Sequence, residues 1–162
     1  MTGPRIPVLI GDVRVAASDA ILFTIGLGSC VAIVLYDVER RVGGLAHAML
    51  PTPASLRQPA PAGRFASTAV LELIAMMEAA GAARPRLRAK LAGGASMFDS
   101  LLTERGRKLG LRNVEAARDA LSGEGIPVDG EDVGGGHGRS VFLHVHDGRV
   151  IVASVHHADV VL

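Results

Sequence analysis

The chain holds one cysteine, Cys30, and six histidines, of which His47 lies on the next apolar segment. A thiol beside an imidazole is the minimum equipment for covalent catalysis by cysteine. Whether the two meet depends on three segments. Val31–Tyr36 is β-branched and apolar and reads as a buried strand. Asp37-Val38-Glu39-Arg40 is the first polar stretch after it and suits a turn, and Val42–Leu50 is apolar again. Folding the two strands back antiparallel about Val38–Arg40 sets Cys30 opposite His47, with Cβ atoms ~5 Å apart. Gly26-Leu27-Gly28-Ser29 breaks the preceding apolar run Ile21–Ile25, so Cys30 starts a strand and can face a cleft. By position, the backbone N–H groups of Gly28, Ser29 and Cys30 are the candidate oxyanion donors. A second reading stands beside this one: free cysteine is commonly a small buried hydrophobe. A histidine on an apolar strand is likewise commonly a satisfied core residue.

Those strands must be held by the rest of the chain. At 162 residues, a single domain spanning 1–162 is expected. The sequence is 49% apolar but only 3% aromatic, so its core must be built from Ala, Val, Leu and Ile. Pro4 to Val15 reads as an opening strand or pair of short strands, followed by a loop at Ala16–Ala20. Pro51-Thr52-Pro53 ends the histidine strand. Ala54–Gly63 is an irregular loop that is either a cleft wall or a plain surface connection. Phe65–Ala80 is the clearest helix, with Ala66, Ala69, Val70, Leu73, Ile74 and Met77 at three- and four-residue spacing and Gly81 as its stop. The Met76–Met77 pair suits core filling. Arg86–Ala92 alternates, with Leu87, Ala89 and Leu91 on one side and Arg86, Arg88 and Lys90 on the other, as a half-buried strand would. Asn113–Ser122 reads as a shorter helix with Asn113 as N-cap and Val114, Ala117 and Leu121 inward. Ile126–Val128 is a short strand. Ser140–His146 and Arg149–Val155 flank Asp147-Gly148, a two-residue hairpin signal. The expected fold is α/β (α+β): a layered sandwich of mixed, largely antiparallel β-sheet with two or three packed helices.

Several function classes are excluded. Net charge is +1, and the modest basic cluster of Arg105, Arg107, Lys108 and Arg112 lacks aromatic partners for base stacking, so no nucleic-acid partner is expected. Gly93-Gly94-Ala95-Ser96 lacks the lysine of a P-loop. A metal site built on His144, His146, His156 and His157 fails on hairpin register, which pairs His144 with Ile151 and leaves His156 ~16 Å further along. His137, in the glycine-rich stretch Gly134–Arg139, is either a cleft residue or a turn histidine without a role. No metal or cofactor is expected. One cysteine excludes an internal disulfide framework, and no segment approaches the ~20 apolar residues needed to span a bilayer, so a soluble, cytoplasmic protein without membrane insertion is expected.

The blocks GLGSCVAIVLYD and GGLAHAMLP resemble the CheD family of chemoreceptor glutamine deamidases, and AKLAGGASMF, LGLRNVEAARDAL and EDVGGGHGRSV continue the likeness in order. It covers nearly the whole chain. One departure is Ser67, where the family often carries an aspartate. The resemblance implies a cysteine, a histidine and a threonine acting together, at Cys30, His47 and Thr24. It implies a protein-glutamine deamidase acting on the cytoplasmic helical bundle of chemotaxis receptors. His47 would take the Cys30 proton, the thiolate would attack the glutamine carboxamide, and water would hydrolyse the thioester. Thr24 would accept a hydrogen bond from the other imidazole nitrogen. The same apparatus could cleave a glutamate methyl ester. The resemblance also implies a CheC-type phosphatase partner, which leaves an alternative: a non-catalytic regulatory module that stimulates that phosphatase. The intact Thr24, Cys30 and His47 set favours the enzyme.

Overall fold

A computed structural model describes residues 3–53, 60–97 and 108–162. Among the described residues ten strands and two α-helices follow in the order β1 (Arg5–Pro7), β2 (Val13–Ala17), β3 (Ile21–Leu27), β4 (Val31–Asp37), β5 (Val42–Ala48), α1 (Ala66–Ala79), β6 (Arg88–Gly93), α2 (Leu109–Gly123), β7 (Val128–Val133), β8 (Arg139–His144), β9 (Arg149–Ala153) and β10 (Val160–Val161). The strands form two five-stranded sheets. The first runs β1-β3-β8-β9-β10 and the second β2-β5-β4-β6-β7. Most neighbours are antiparallel; β1 with β3 and β6 with β7 are parallel. The β6–β7 pair needs a crossover, and α2 supplies it.

Two apolar layers hold this together. The face of the second sheet that carries Val31, Ile33, Leu35, Ala46 and Ala48 packs against Leu73 and Met77 of α1 and Val114, Ala117 and Leu121 of α2. Its other face, with Ala32, Val34 and Leu45, packs against Leu22, Val141, Leu143 and Val150 of the first sheet. The order of layers is therefore helices, sheet, sheet. Central strands buried on both faces read as continuous apolar runs, which is why β4 and β5 have no polar alternation. Among the described residues no helix is long and apolar enough to cross a membrane.

Besides β7, which runs Val128–Val133 and not Ile126–Val128, and α2, which at 15 residues is not shorter than the 14 of α1, four details differ from the sequence expectation. First, β4 and β5 pair with Asp37 opposite Val42 and Ala32 opposite His47, so Cys30 is not the direct partner of His47. The Asp37 carboxylate accepts hydrogen bonds from the N–H groups of Glu39 and Arg40 and closes a four-residue loop, Val38–Arg41, that moves the register by two. Second, the β8–β9 hairpin also has a four-residue loop, with His144 opposite Arg149 rather than Ile151. Third, Lys90 is buried: its Nζ donates to the carbonyls of Gly148 and Leu162, so β6 is covered on both faces. Fourth, α2 begins at Leu109, which puts Asn113 inside the helix and not at its cap. Residues 54–59 of the expected loop after the histidine strand, and Arg105 and Arg107 of the basic cluster, lie outside the described residues.

Candidate active site

The site lies where the chain passes from one sheet to the other. β3, in the first sheet, carries Thr24; the turn 28–30 then delivers Cys30 to the start of β4, in the second sheet, beside the His47 strand β5. A β-bulge between Thr24 and Leu27 adds one residue to β3 relative to β8 and puts Ile25 in solvent.

His47 is buried, and its Nδ1 lies 2.7 Å from the Thr24 Oγ1. The Thr24 hydroxyl has one proton, and it is donated to the Val8 carbonyl at 2.6 Å. Thr24 must therefore accept from His47, which places the ring proton on Nδ1 and leaves Nε2 with a bare lone pair. That Nε2 is buried and has no hydrogen-bond partner. Backbone bonds fix the ring's strand from its other edge: Gly11 N–H donates to the His47 carbonyl at 2.8 Å, and His47 N–H donates to the Asp12 carbonyl at 3.2 Å. Burial pushes the imidazole pKa below the ordinary 6.5, opposed by the negative charge of Asp12. A shallow apolar cleft formed by Pro7, Leu9, Ile10 and Ile25 opens onto Thr24 and His47.

Cys30 is half-buried and packs against the layer between the sheets, the layer that holds Ala32 and Leu45. Because Ala32 faces His47, Cys30 lies two residues away on the same face, a diagonal neighbour at ~7–8 Å between Cα atoms. The register change is an even number of residues, so it alters distance and not side. No thiol–imidazole hydrogen bond is made in this state. Catalytic hydrogen bonds are often long before substrate binds. Burial raises the thiol pKa, and the backbone N–H of Cys30 lowers it in part. A raised thiol beside a lowered imidazole is a neutral pair at rest, not a thiolate–imidazolium pair.

The turn itself is held by its carbonyls. Gly28 O accepts from Ala95 N–H and Cys30 O from Gly94 N–H, each at 2.8 Å, and Ser29 O accepts from Asn113 Nδ2 at 2.8 Å. A Cβ at Gly93, where φ is +106°, would lie 2.4 Å from the Cys30 carbonyl oxygen, so only glycine allows β6 to come this close. Asn113 and Asp12 were not read as site residues from the sequence; nothing local marks either one. His137 sits elsewhere, stacked on His157 with ring centroids 4.0 Å apart. Among the described residues, no three His, Cys, Asp or Glu side chains gather where they could hold a metal ion.

Comparison with known proteins supplies the family. The family described as "CheD chemotactic sensory transduction" matches residues 49–154, which begins just past His47. Whole-chain relatives extend over the earlier strands. A Haloarcula marismortui protein is 42% identical over 99% of this chain and 91% of its own length. One from Caldanaerobacter subterraneus subsp. tengcongensis is 43% identical over 91% of each, and one from Archaeoglobus fulgidus is 45% identical over 93% of each. All three are named probable chemoreceptor glutamine deamidase CheD. A solved Neisseria meningitidis protein covers 82% of this chain and 63% of its own at 14% identity, with a TM-score of 0.49. With relatives from archaea and bacteria aligned along nearly its full length, the chain belongs to the CheD family.

Proposed function

We propose that this chain is a protein-glutamine deamidase that converts glutamine side chains of chemotaxis receptors to glutamate, with Cys30 as nucleophile, His47 as base and Thr24 as the residue that orients the imidazole. The names of the relatives support the activity and substrate class. The observation that carries the residue roles is the committed Thr24 proton: it leaves His47 with an unpaired Nε2 on the face of β5 that Cys30 shares.

The steps follow from that tautomer. Nε2 takes the Cys30 proton as Sγ bonds to the carboxamide carbon, and the carbonyl π electrons move to oxygen. The backbone N–H groups of Gly28, Ser29 and Cys30 are the proposed oxyanion donors, on a turn whose three carbonyls are already engaged. The imidazolium returns its proton to the leaving nitrogen, the C–N bond breaks and ammonia departs. Water, deprotonated by Nε2, then attacks the thioester. The C–S bond breaks, the sulfur takes back a proton and glutamate remains. A glutamate methyl ester would follow the same path with methanol as leaving group. A CheC-type phosphatase is the proposed second partner.

Mass spectrometry of a receptor cytoplasmic fragment after incubation tests this reading. The expected result is the mass gain of NH2 replaced by OH at specific glutamines with wild-type protein, and none with Cys30→Ala. Equal conversion by both proteins would overturn it.

A further inference from the structure

We infer that Asn113 is a positioning residue for this chemistry: its side-chain amide ties the turn that delivers Cys30 to the end of the strand that carries His47, and so fixes the distance between thiol and imidazole. The inference rests on the proposed roles of Cys30 and His47. Asn113 lies in the interior of α2 and is fully buried, among Val114, Ala117 and the helix-facing side of the second sheet. An aliphatic side chain would be the inexpensive choice at such a position, because a buried amide is costly unless bonded. Its Nδ2 donates to two carbonyls, Ser29 O at 2.8 Å and Met49 O at 3.2 Å. Ser29 immediately precedes the nucleophile, and Met49 follows His47 by two residues.

Those two acceptors stand where the β4–β5 ladder stops. Its last pair is Val31 with Ala48. One step further the main chains part: Met49 N–H turns to Arg64 O at 3.0 Å, and Cys30 O turns to Gly94 N–H. The Asn113 amide bridges the gap with its two N–H groups, so a side chain from the helix layer supplies the rung that the sheet lacks. The helix is near enough for so short a side chain because Gly110 packs on Gly94; a Cβ at Gly110 would lie 2.4 Å from the Gly94 carbonyl oxygen. The other end of the amide shows what is being retained. Oδ1 is buried and has no hydrogen-bond partner. A residue kept for bulk or stability would not leave an acceptor unpaired in a buried, largely apolar layer. The two donors are the useful part, and an aspartate, with the same shape, would turn carboxylate oxygen towards two carbonyls.

The test uses the full chain with a receptor fragment, comparing wild type, Asn113→Ala, Asn113→Asp and Cys30→Ala. Urea unfolding followed by far-UV CD gives the folded fraction of each variant, so every rate is taken per folded site. Displacing a reacting group by ~1 Å can cost about a hundredfold in rate. The expected result is kcat per folded site down by roughly 10- to 100-fold in both Asn113 variants, KM within about twofold, and a changed pH dependence of Cys30 alkylation. A merely structural role would lower Tm and leave kcat per site and the alkylation profile unchanged; that result overturns the inference. Failure of both variants to fold would also count against it, since Asn113 would then support the domain and not the site. An inactive Cys30→Ala beside fully active Asn113 variants sinks this inference alone. An active Cys30→Ala sinks the proposed function, and the inference with it.

Discussion

Thr24→Val removes one oxygen atom and little else, which makes it the sharpest probe of the site. The hydroxyl has two jobs: it accepts from His47 Nδ1 at 2.7 Å and donates to Val8 O at 2.6 Å. Valine keeps the volume and the β-branch, so β3 and its pairing with β8 should survive. Both former partners are left buried without a bond, and each such group costs ~1–3 kcal/mol, so a loss of stability of about 2 kcal/mol or more is expected in urea unfolding. The kinetic effect has a separate origin. In the proposed mechanism the ring becomes a cation as Nε2 takes the thiol proton, and a hydrogen bond to a charged group contributes ~1.5–3 kcal/mol. At ~1.36 kcal/mol per decade, kcat should fall by roughly 10- to 150-fold while KM hardly moves. Ammonia release from a receptor fragment, coupled to glutamate dehydrogenase and followed well below Tm, measures both parameters. A loss as complete as in Cys30→Ala would show that Thr24 does more than orient the ring. A kcat within twofold of wild type would show that the ring does not depend on that bond.

The remaining expectations are simpler. Cys30→Ala should abolish ammonia release with the far-UV CD spectrum unchanged, because Cys30 is half-buried at a strand start and fills no central void; retained activity would end its assignment as nucleophile. The pH profile of kcat/KM should show a broad plateau. Burial lowers the His47 pKa, so the base stays unprotonated further into acid and the acid limb falls below the ordinary 6.5. Burial raises the Cys30 pKa, so the alkaline limb falls above that of a free thiol. Asp12→Asn removes the charge that opposes the His47 shift and should move the acid limb lower still; an upward move would mean that another group sets that limb. Gly93→Ala meets the Cys30 carbonyl and a strained φ, so it should destabilise the fold by ~2 kcal/mol or more and slow Cys30 alkylation; an unchanged unfolding midpoint would contradict the close approach.

Periodicity made most of the elements legible. α1 buries the residues that its spacing marks, and the apolar runs of β4 and β5 became strands buried on both faces. The two hairpin registers depart from the sequence expectation for one shared reason. In each loop an aspartate carboxylate accepts backbone N–H bonds, Asp37 from Glu39 and Arg40 and Asp147 from Arg149, and the loop closes over four residues. An Asx contact of this kind is written in the sequence as one aspartate, while the loop length it selects depends on the strand twist that it must match. Lys90 and Asn113 depart from that expectation for the opposite reason. Each looks like a residue for solvent or for a cap, and each donates to carbonyls remote in sequence: Gly148 and Leu162 for Lys90, Ser29 and Met49 for Asn113. No local pattern encodes partners that only the assembled layers bring into reach.

Thr24 shows most plainly what a resemblance adds and what the fold explains. Its own neighbours on β3 are apolar, and nothing in their spacing singles it out. The fold gives the physical reason for a hydroxyl there: β3 and β5 belong to different sheets, the layer between them is apolar and buried, and the imidazole nitrogen that points across it needs an acceptor. A carboxylate would stabilise the imidazolium better, yet it would place a charge in a layer of Leu, Val and Ala, where burying an ion is costly. A hydroxyl avoids that cost, and its second bond to Val8 O sets the tautomer without any charge. A neutral partner makes a weaker base. That weaker base suits a thiol, whose free pKa of about 8.5 asks less of it than a serine hydroxyl would. The neutral hydroxyl at Nδ1 of His47 and the sulfur at position 30 are thus two sides of one choice, and Cys30→Ser, which keeps the geometry but raises the demand on the base, should be nearly as inactive as Cys30→Ala in the ammonia assay.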